Sequence, residues 1–237
     1  MNEIKRDLEG RDIVVTGGSG ALGGAVLEAL IARGARCHVP CREAEVPASL
    51  SLASHAQVSA TAGVDLADEA STRAYYESLP GLWGSVHLAG GFAMAPIAET
   101  RLADLDAMLR LNAVTCFLCC REAVRAMRRT GAGGGRIVNV AARPAVRPAS
   151  GMVAYVASKA AVAAMTGALA EELGDEGICV NAILPSIIDT PANRRSMPEA
   201  DHAAWPKPAE IARTIAFLVS DDSGLTSGAL VPVYGRA

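Results

Sequence analysis

One stretch near the N-terminus limits the possible folds more than any other. Ile13-Val14-Val15 is followed at once by Thr16-Gly17-Gly18-Ser19-Gly20, and then apolar residues return at helical spacing at Leu22, Val26, Ala29 and Leu30. The β-branched triplet predicts a strand, the glycines predict a tight turn, and Gly34 stands where a helix over 21–33 would end. Glycines between a strand and a helix let the backbone come close to a diphosphate. The helix N-terminus meets that anion with unpaired N–H groups and the positive end of its dipole. The pattern therefore predicts dinucleotide binding on Gly17, Ser19, Gly20, Ala21, Leu22 and Gly23.

The alternation continues along the chain. Short apolar runs predict strands at 37–39, 86–89, 137–140, 180–184 and 230–233, and longer periodic runs predict helices at 102–129, 152–173 and 209–219. Strand–helix alternation on this scale predicts an α/β Rossmann fold, a doubly wound parallel sheet with helices on both faces. With no repeat and no linker, residues 1–237 read as a single domain. Five prolines between 185 and 208 remove backbone donors and fix φ, so this segment is predicted as a long loop with short helical turns, suited to close over a substrate.

Composition excludes several classes. With 22 basic and 25 acidic residues the chain has a formal charge of −3 and no basic surface for nucleic acid. The longest mostly apolar run, 160–170, is closed by Lys159 and Glu171 and is too short to cross a bilayer. The opening Met-Asn-Glu-Ile-Lys-Arg-Asp has no apolar leader, so the expectation is a cytoplasmic protein without membrane association. The six cysteines are then expected to be reduced. Cys116, Cys119 and Cys120 are expected on one helical face, with no histidine at metal-ligand spacing nearby, as buried unreactive thiols; no metal site is read here.

Two further positions carry chemistry. The second predicted strand runs out as Val39-Pro40-Cys41-Arg42. A carboxylate at such a tip would hold the ribose hydroxyls of NAD, whereas an arginine can pair with a 2′-phosphate. Arg42 therefore favours NADP over NAD, although Glu43 and Glu45 follow closely. Farther on, Tyr155 and Lys159 stand four residues apart, on one face of a helix. A phenol ionises near pH ~10, and a neighbouring ammonium favours the phenolate. Tyr155 is thus expected to exchange a proton with a substrate while Lys159 lowers its pKa and holds a ribose hydroxyl.

With these motifs in place the chain resembles the short-chain dehydrogenase/reductase family over essentially its whole length. Asp65-Leu66 resembles the pair that contacts adenine, and Leu88-Ala89-Gly90-Gly91 resembles the family's Asn-Asn-Ala-Gly strand end, with Ala89 and Gly90 retained. Asn112 matches the helix asparagine that supports a proton relay. Pro185, Ile188 and Thr190 fall in a segment similar to the one that binds the nicotinamide carboxamide, with Ser186 in place of glycine. The resemblance implies hydride transfer to a small-molecule substrate by a homodimer or homotetramer, whose helices around 102–129 and 152–173 would pack across a two-fold axis.

One departure matters. Thirteen residues before the tyrosine, where the family has a substrate-binding serine, this chain has Ala142. Ser150 is the candidate substitute, and Arg194 and Arg195 are candidate substrate contacts. Residues 18–23, 89–91, 151–152 and above all 189–201 resemble dihydropteridine reductases, a subgroup that also lacks the serine and acts on a quinonoid pterin. Three readings stay open: a reductase of a carbonyl or quinonoid C=N compound, a dihydropteridine reductase specifically, and an idle NADP-binding or sensing module.

Overall fold

A computed structural model describes residues 6–131 and 133–236. Seven parallel strands form one sheet in the order β3-β2-β1-β4-β5-β6-β7. In chain order they are β1 (Asp12–Thr16), β2 (Arg36–Pro40), β3 (Val58–Thr61), β4 (Gly84–His87), β5 (Gly135–Val140), β6 (Ile178–Pro185) and β7 (Leu230–Val233). The helices are α1 (Ala21–Ala32), α2 (Glu69–Glu77), α3 (Leu102–Met108), α4 (Thr115–Thr130), α5 (Val153–Leu173), α6 (Pro191–Ser196) and α7 (Pro208–Leu218).

Helices cover both faces, so successive strand residues alternate between two apolar layers. Ile13 and Val15 face one layer with Val26, Leu27 and Leu30 of α1 and Ile211 and Ile215 of α7. Val14 faces the other, with Tyr76 of α2, Cys116 and Met127 of α4, and Val162 and Leu173 of α5. Each large side chain taken fully from water contributes roughly 1.5–3 kcal/mol. A one-residue slip of β1 would reverse its facing and forfeit that gain, which fixes its register against β2 and β4.

The predicted strands and the helices of the motif regions are present, with three refinements. α2 was not anticipated; Asp68 caps it by accepting from Ser71 N. The helix expected over 102–129 is broken into α3 and α4 by a π-helical turn at Leu109–Val114. The proline-rich segment contains α6 and a 3₁₀ turn at His202–Ala204. By length and hydropathy α5 could span a membrane; one side of it, with Val162, Thr166 and Leu173, packs on the sheet.

Chain order reverses between β1 and β4, and in such sheets the crevice at the strands' carboxyl ends is where ligands sit. The turns after β1 and β4 meet there. A Cβ on Gly17 would lie 2.9 Å from Ala89 N, and Ala89 N donates to Thr16 Oγ1 at 3.1 Å.

Candidate active site

The glycine turn is a cradle without room for side chains. Gly17 has φ +67°, a left-handed conformation suited to glycine. A Cβ on Gly23 would meet Gly17 O at 2.3 Å and Gly18 Cα at 2.6 Å, so the first turn of α1 packs directly on the loop. Gly20 caps α1 with no side-chain hydrogen bond, and the first turn carries no acidic residue. The orphan N–H groups of this helix start therefore face outward unscreened, with Ser19 half-buried and Gly20 and Ala21 exposed beside them. This arrangement fits a diphosphate.

At the tip of β2 the Cys41 thiol is turned inward, 3.8 Å from Val39 O, while Arg42 is exposed. Burial, and after it the charge of Glu43, raises the Cys41 pKa, so the group at this tip is a neutral thiol and not an anion. On the next turn Asp65 is exposed and accepts from Ala67 N at 2.9 Å, while Leu66 is buried in the second layer.

The catalytic candidates converge at the carboxyl ends of β4 and β5. The π turn aims Asn112 inward, where it is 1% exposed. Its Oδ1 accepts from Gly91 N at 2.9 Å, and its Nδ2 donates to Gly91 O and to Ser158 Oγ, both at 3.0 Å. Ser158 in turn donates to Tyr155 O at 2.8 Å. Both amide protons of Asn112 are thus spent on bracing the β4 loop against α5. Lys159 is 6% exposed, and its Nζ donates to Val140 O at 2.7 Å. Gly90 completes the junction: a Cβ there would lie 2.6 Å from Asn112 Oδ1 and 3.3 Å from Lys159 Nζ.

Burial shifts both titrating groups toward neutrality. The Lys159 ammonium is pulled down to about 8 and the Tyr155 phenol is pushed up to about 12. The expectation that the ammonium sharpens the phenol does not hold in the free protein: Tyr155 keeps its proton through the neutral range because desolvation dominates.

Phe92 was not singled out from the sequence. It is 57% exposed, and its ring meets that of Tyr155 edge-on, with centroids 4.9 Å apart. An aromatic directly after Gly90-Gly91, in a chain with only 3 Phe, was the available signal. Beside it opens a cleft of about 270 Å³ lined by Met94, Met108, Met152, Val153 and Asp104 among others.

The remaining candidates divide. Ala142 is 4% exposed and offers a methyl group where a hydroxyl was sought, and Ser150 is exposed on the loop ahead of α5. Pro185 is buried at the end of β6, and Ile188 packs against the first layer. Thr190 caps α6 by accepting from Asn193 N. Arg194 is paired with Asp189 at 2.5 and 2.8 Å and remains half exposed. Arg195 is exposed.

The six cysteines are free and buried, and Cys116, Cys119 and Cys120 share the second layer as expected. Cys116 and Cys120 face the sheet together, while Cys119 is set toward Tyr76. A histidine does lie beside the pair: His87 Nδ1 is 3.6 Å from Cys120 Sγ. It sits on β4, and the pairing of β4 with β5 beneath α4 brings together residues far apart in sequence.

Comparison with known proteins gives a consistent picture. The family profile described as short chain dehydrogenase matches residues 11–201. D-threitol dehydrogenase of Mycolicibacterium smegmatis is 31% identical, with 96% of this chain and 93% of the relative covered. Levodione reductase of Leifsonia aquatica is 30% identical, with 95% and 93% covered. A solved variant of a Serratia marcescens short-chain dehydrogenase/reductase superposes with a TM-score of 0.87 at 29% identity, covering 97% of this chain and 98% of that one.

Proposed function

This chain belongs to the short-chain dehydrogenase family, which makes it an NAD(P)-dependent oxidoreductase, and from that premise we propose that it uses NADPH to reduce a carbonyl or quinonoid C=N group in a small molecule with an apolar flank. The observation that carries the reading is the junction at Gly90, where Asn112, Lys159 and the element bearing Tyr155 are locked together beside the glycine cradle.

A bound nicotinamide supplies the hydride. The backbone of Ser19 to Gly23 would hold the diphosphate, Arg42 the 2′-phosphate, Asp65 and Leu66 the adenine side, and Pro185, Ile188 and Thr190 the nicotinamide end, with Ala89 and Gly90 forming the floor between. Cys41 supports NADP over NAD, because a neutral inward thiol offers no carboxylate to ribose hydroxyls.

Tyr155 acts as the proton donor: a phenol that stays protonated at neutral pH is an acid waiting for a developing oxyanion or nitrogen anion. Lys159 keeps its charge below pH about 8, and once an anion forms beside it the ammonium stabilises that charge. Asn112 is a positioning residue, since its side chain braces Gly91 and Ser158. Phe92 and the methionine-lined cleft would receive the apolar flank of the substrate. Residues 185–208 would close over it.

Ala142 supports a substrate that needs no hydroxyl donor at that point, as a quinonoid pterin would, and dihydropteridine reduction is the second reading on this ground. Homo-oligomerisation is supported by Phe117 on α4, an aromatic ring left 49% exposed.

The test is steady-state oxidation of NADPH against a panel of ketones and quinonoid dihydropterin, with NADPH binding measured alongside. Turnover on a member of the panel is expected, and Tyr155→Phe is expected to abolish it while NADPH affinity stays within a few-fold. Tight NADPH binding without turnover on any member would replace the reductase with an idle binding module.

A further inference from the structure

Behind the active site, under α4, five side chains close a polar knot inside the second apolar layer. Cys116 and Cys120 lie one turn apart on α4 with sulfurs 4.0 Å from each other, and Cys120 Sγ is 3.6 Å from His87 Nδ1. The two sulfurs and the imidazole nitrogen all fall within 4.8 Å of one another, and all three residues are buried. Tetrahedral zinc, with bonds of about 2.3 Å to sulfur and about 2.05 Å to nitrogen, needs sulfurs about 3.8 Å apart and sulfur–nitrogen separations of about 3.6 Å. The sulfur–sulfur and Cys120–His87 separations stand close to that spacing, and the Cys116–His87 separation is within 4.8 Å.

The hydrogen bonding of the knot is overcommitted. Asn139 Nδ2 donates to Thr166 Oγ1, whose own proton goes to Val162 O; this fixes the amide so that its oxygen faces the cysteines. Three potential donors then converge on Asn139 Oδ1: His87 Nδ1 at 2.8 Å, Cys116 Sγ at 3.3 Å and Cys120 Sγ at 3.4 Å. A carbonyl oxygen has two lone pairs, so at most two of these donors are served there and the third is left to the longer Cys116–Cys120 or Cys120–His87 contact. A cation in place of the two thiol protons removes this competition and leaves Asn139 Oδ1 as a fourth ligand.

We propose that His87, Cys116 and Cys120, completed by Asn139, form a site for one thiophilic divalent cation of the zinc and cadmium class. On binding, each thiol releases its proton to solvent and neutral His87 takes the tautomer with its single proton on Nε2, leaving the Nδ1 lone pair for the ion. Two thiolates and one divalent ion make a neutral unit, the charge state an apolar layer tolerates. Nε2 then donates to Ser85 Oγ, 2.8 Å away, and Ser85 is tied to the Tyr76 hydroxyl at 2.9 Å, so the imidazole is oriented from behind as metal-bound histidines are. Sulfur ligands select such ions over magnesium or calcium. The proposal does not depend on the hydride-transfer reading, although charge on Cys116 is felt at Lys159.

The test uses the full-length chain, reduced and metal-free. Because the site is enclosed, Cd²⁺ or Co²⁺ is supplied both to native protein and during refolding, followed by desalting. Elemental analysis is expected to give one ion per chain, with the thiolate-to-cadmium charge-transfer band and the intense visible bands of tetrahedral Co²⁺. Cys116→Ala/Cys120→Ala is expected to lose the bands and weaken uptake at least tenfold, His87→Asn to weaken uptake with the thiolate band reduced, and Cys119→Ala to behave as wild type. NADPH binding and far-ultraviolet circular dichroism report whether each variant is folded, and the cobalt bands of the wild type stand without any variant. Wild-type protein that takes up no ion by either route, or uptake that survives the double substitution, overturns the proposal.

Discussion

Lys159 is held between two costs. Burial works against its charge while charge on Cys116 works for it, and its Nζ donates to a carbonyl 2.7 Å away. Its pKa falls from an ordinary 10.5 to about 8, so the folded protein releases this proton before the unfolded chain does. Between those values the unfolded state binds the extra proton, and this residue's contribution to stability rises with pH. For activity the sign is opposite, because the proposed chemistry uses the cation. The kcat/KM for NADPH is expected to fall about tenfold per pH unit above pH about 8. In Lys159→Arg that limb is expected to vanish from the accessible range, since a guanidinium stays charged; an unchanged limb would assign the titration to another group. Ala142 allows a complementary test. Ala142→Ser restores a hydroxyl at the end of β5 and is expected to raise kcat/KM for simple ketones by roughly 10²–10³, measured beside an unchanged NADPH affinity.

At the scale of elements, the cofactor grip depends on how α1 starts. Gly23 is inside the first turn of the helix, where a Cβ would lie 2.3 Å from Gly17 O and 2.7 Å from Gly18 C, all backbone. Gly23→Ala is therefore expected to push the loop outward, with NADPH affinity reduced at least tenfold and thermal stability lowered by about 1–3 kcal/mol, the usual cost of overpacking. Calorimetric titration and thermal unfolding measure the two effects. Gly24, with nothing within 4 Å of its Cβ position, is the control. These glycines were legible in the sequence because turn, strand and helix are contiguous. The same holds for Tyr155 and Lys159, which share a helix. What the sequence concealed was long-range or required a defect in regular structure. His87 is 29 residues before Cys116 and meets it only because α4 lies over the β4–β5 pair. The π turn that presents Asn112 leaves no mark in apolar periodicity, and the pairing of Arg194 with Asp189 depends on how the proline-rich segment folds.

For the whole molecule, each helical layer leaves one aromatic ring half exposed. Phe217 of α7 is 43% exposed on one side of the sheet and Phe117 of α4 is 49% exposed on the other. Such a surface is suited to a second copy related by a two-fold axis. Phe117→Glu is expected to lower the sedimentation coefficient toward that of a monomer at micromolar concentration while near-native secondary structure is retained. A wild-type chain that already sediments as a monomer would remove this interface.

Because all seven strands point the same way, the loops leaving β1, β4, β5 and β6 open on one rim, and the opposite rim takes no part in the proposed chemistry. Inheritance can treat these two rims differently. Substitutions after β4, β5 and β6 at positions that do not brace the cradle, such as Phe92, Met94, Ser150 and Arg195, can change which compound is reduced without altering the diphosphate grip or the buried layers. A library confined to those three loops is thus a short route from this chain to new reductases.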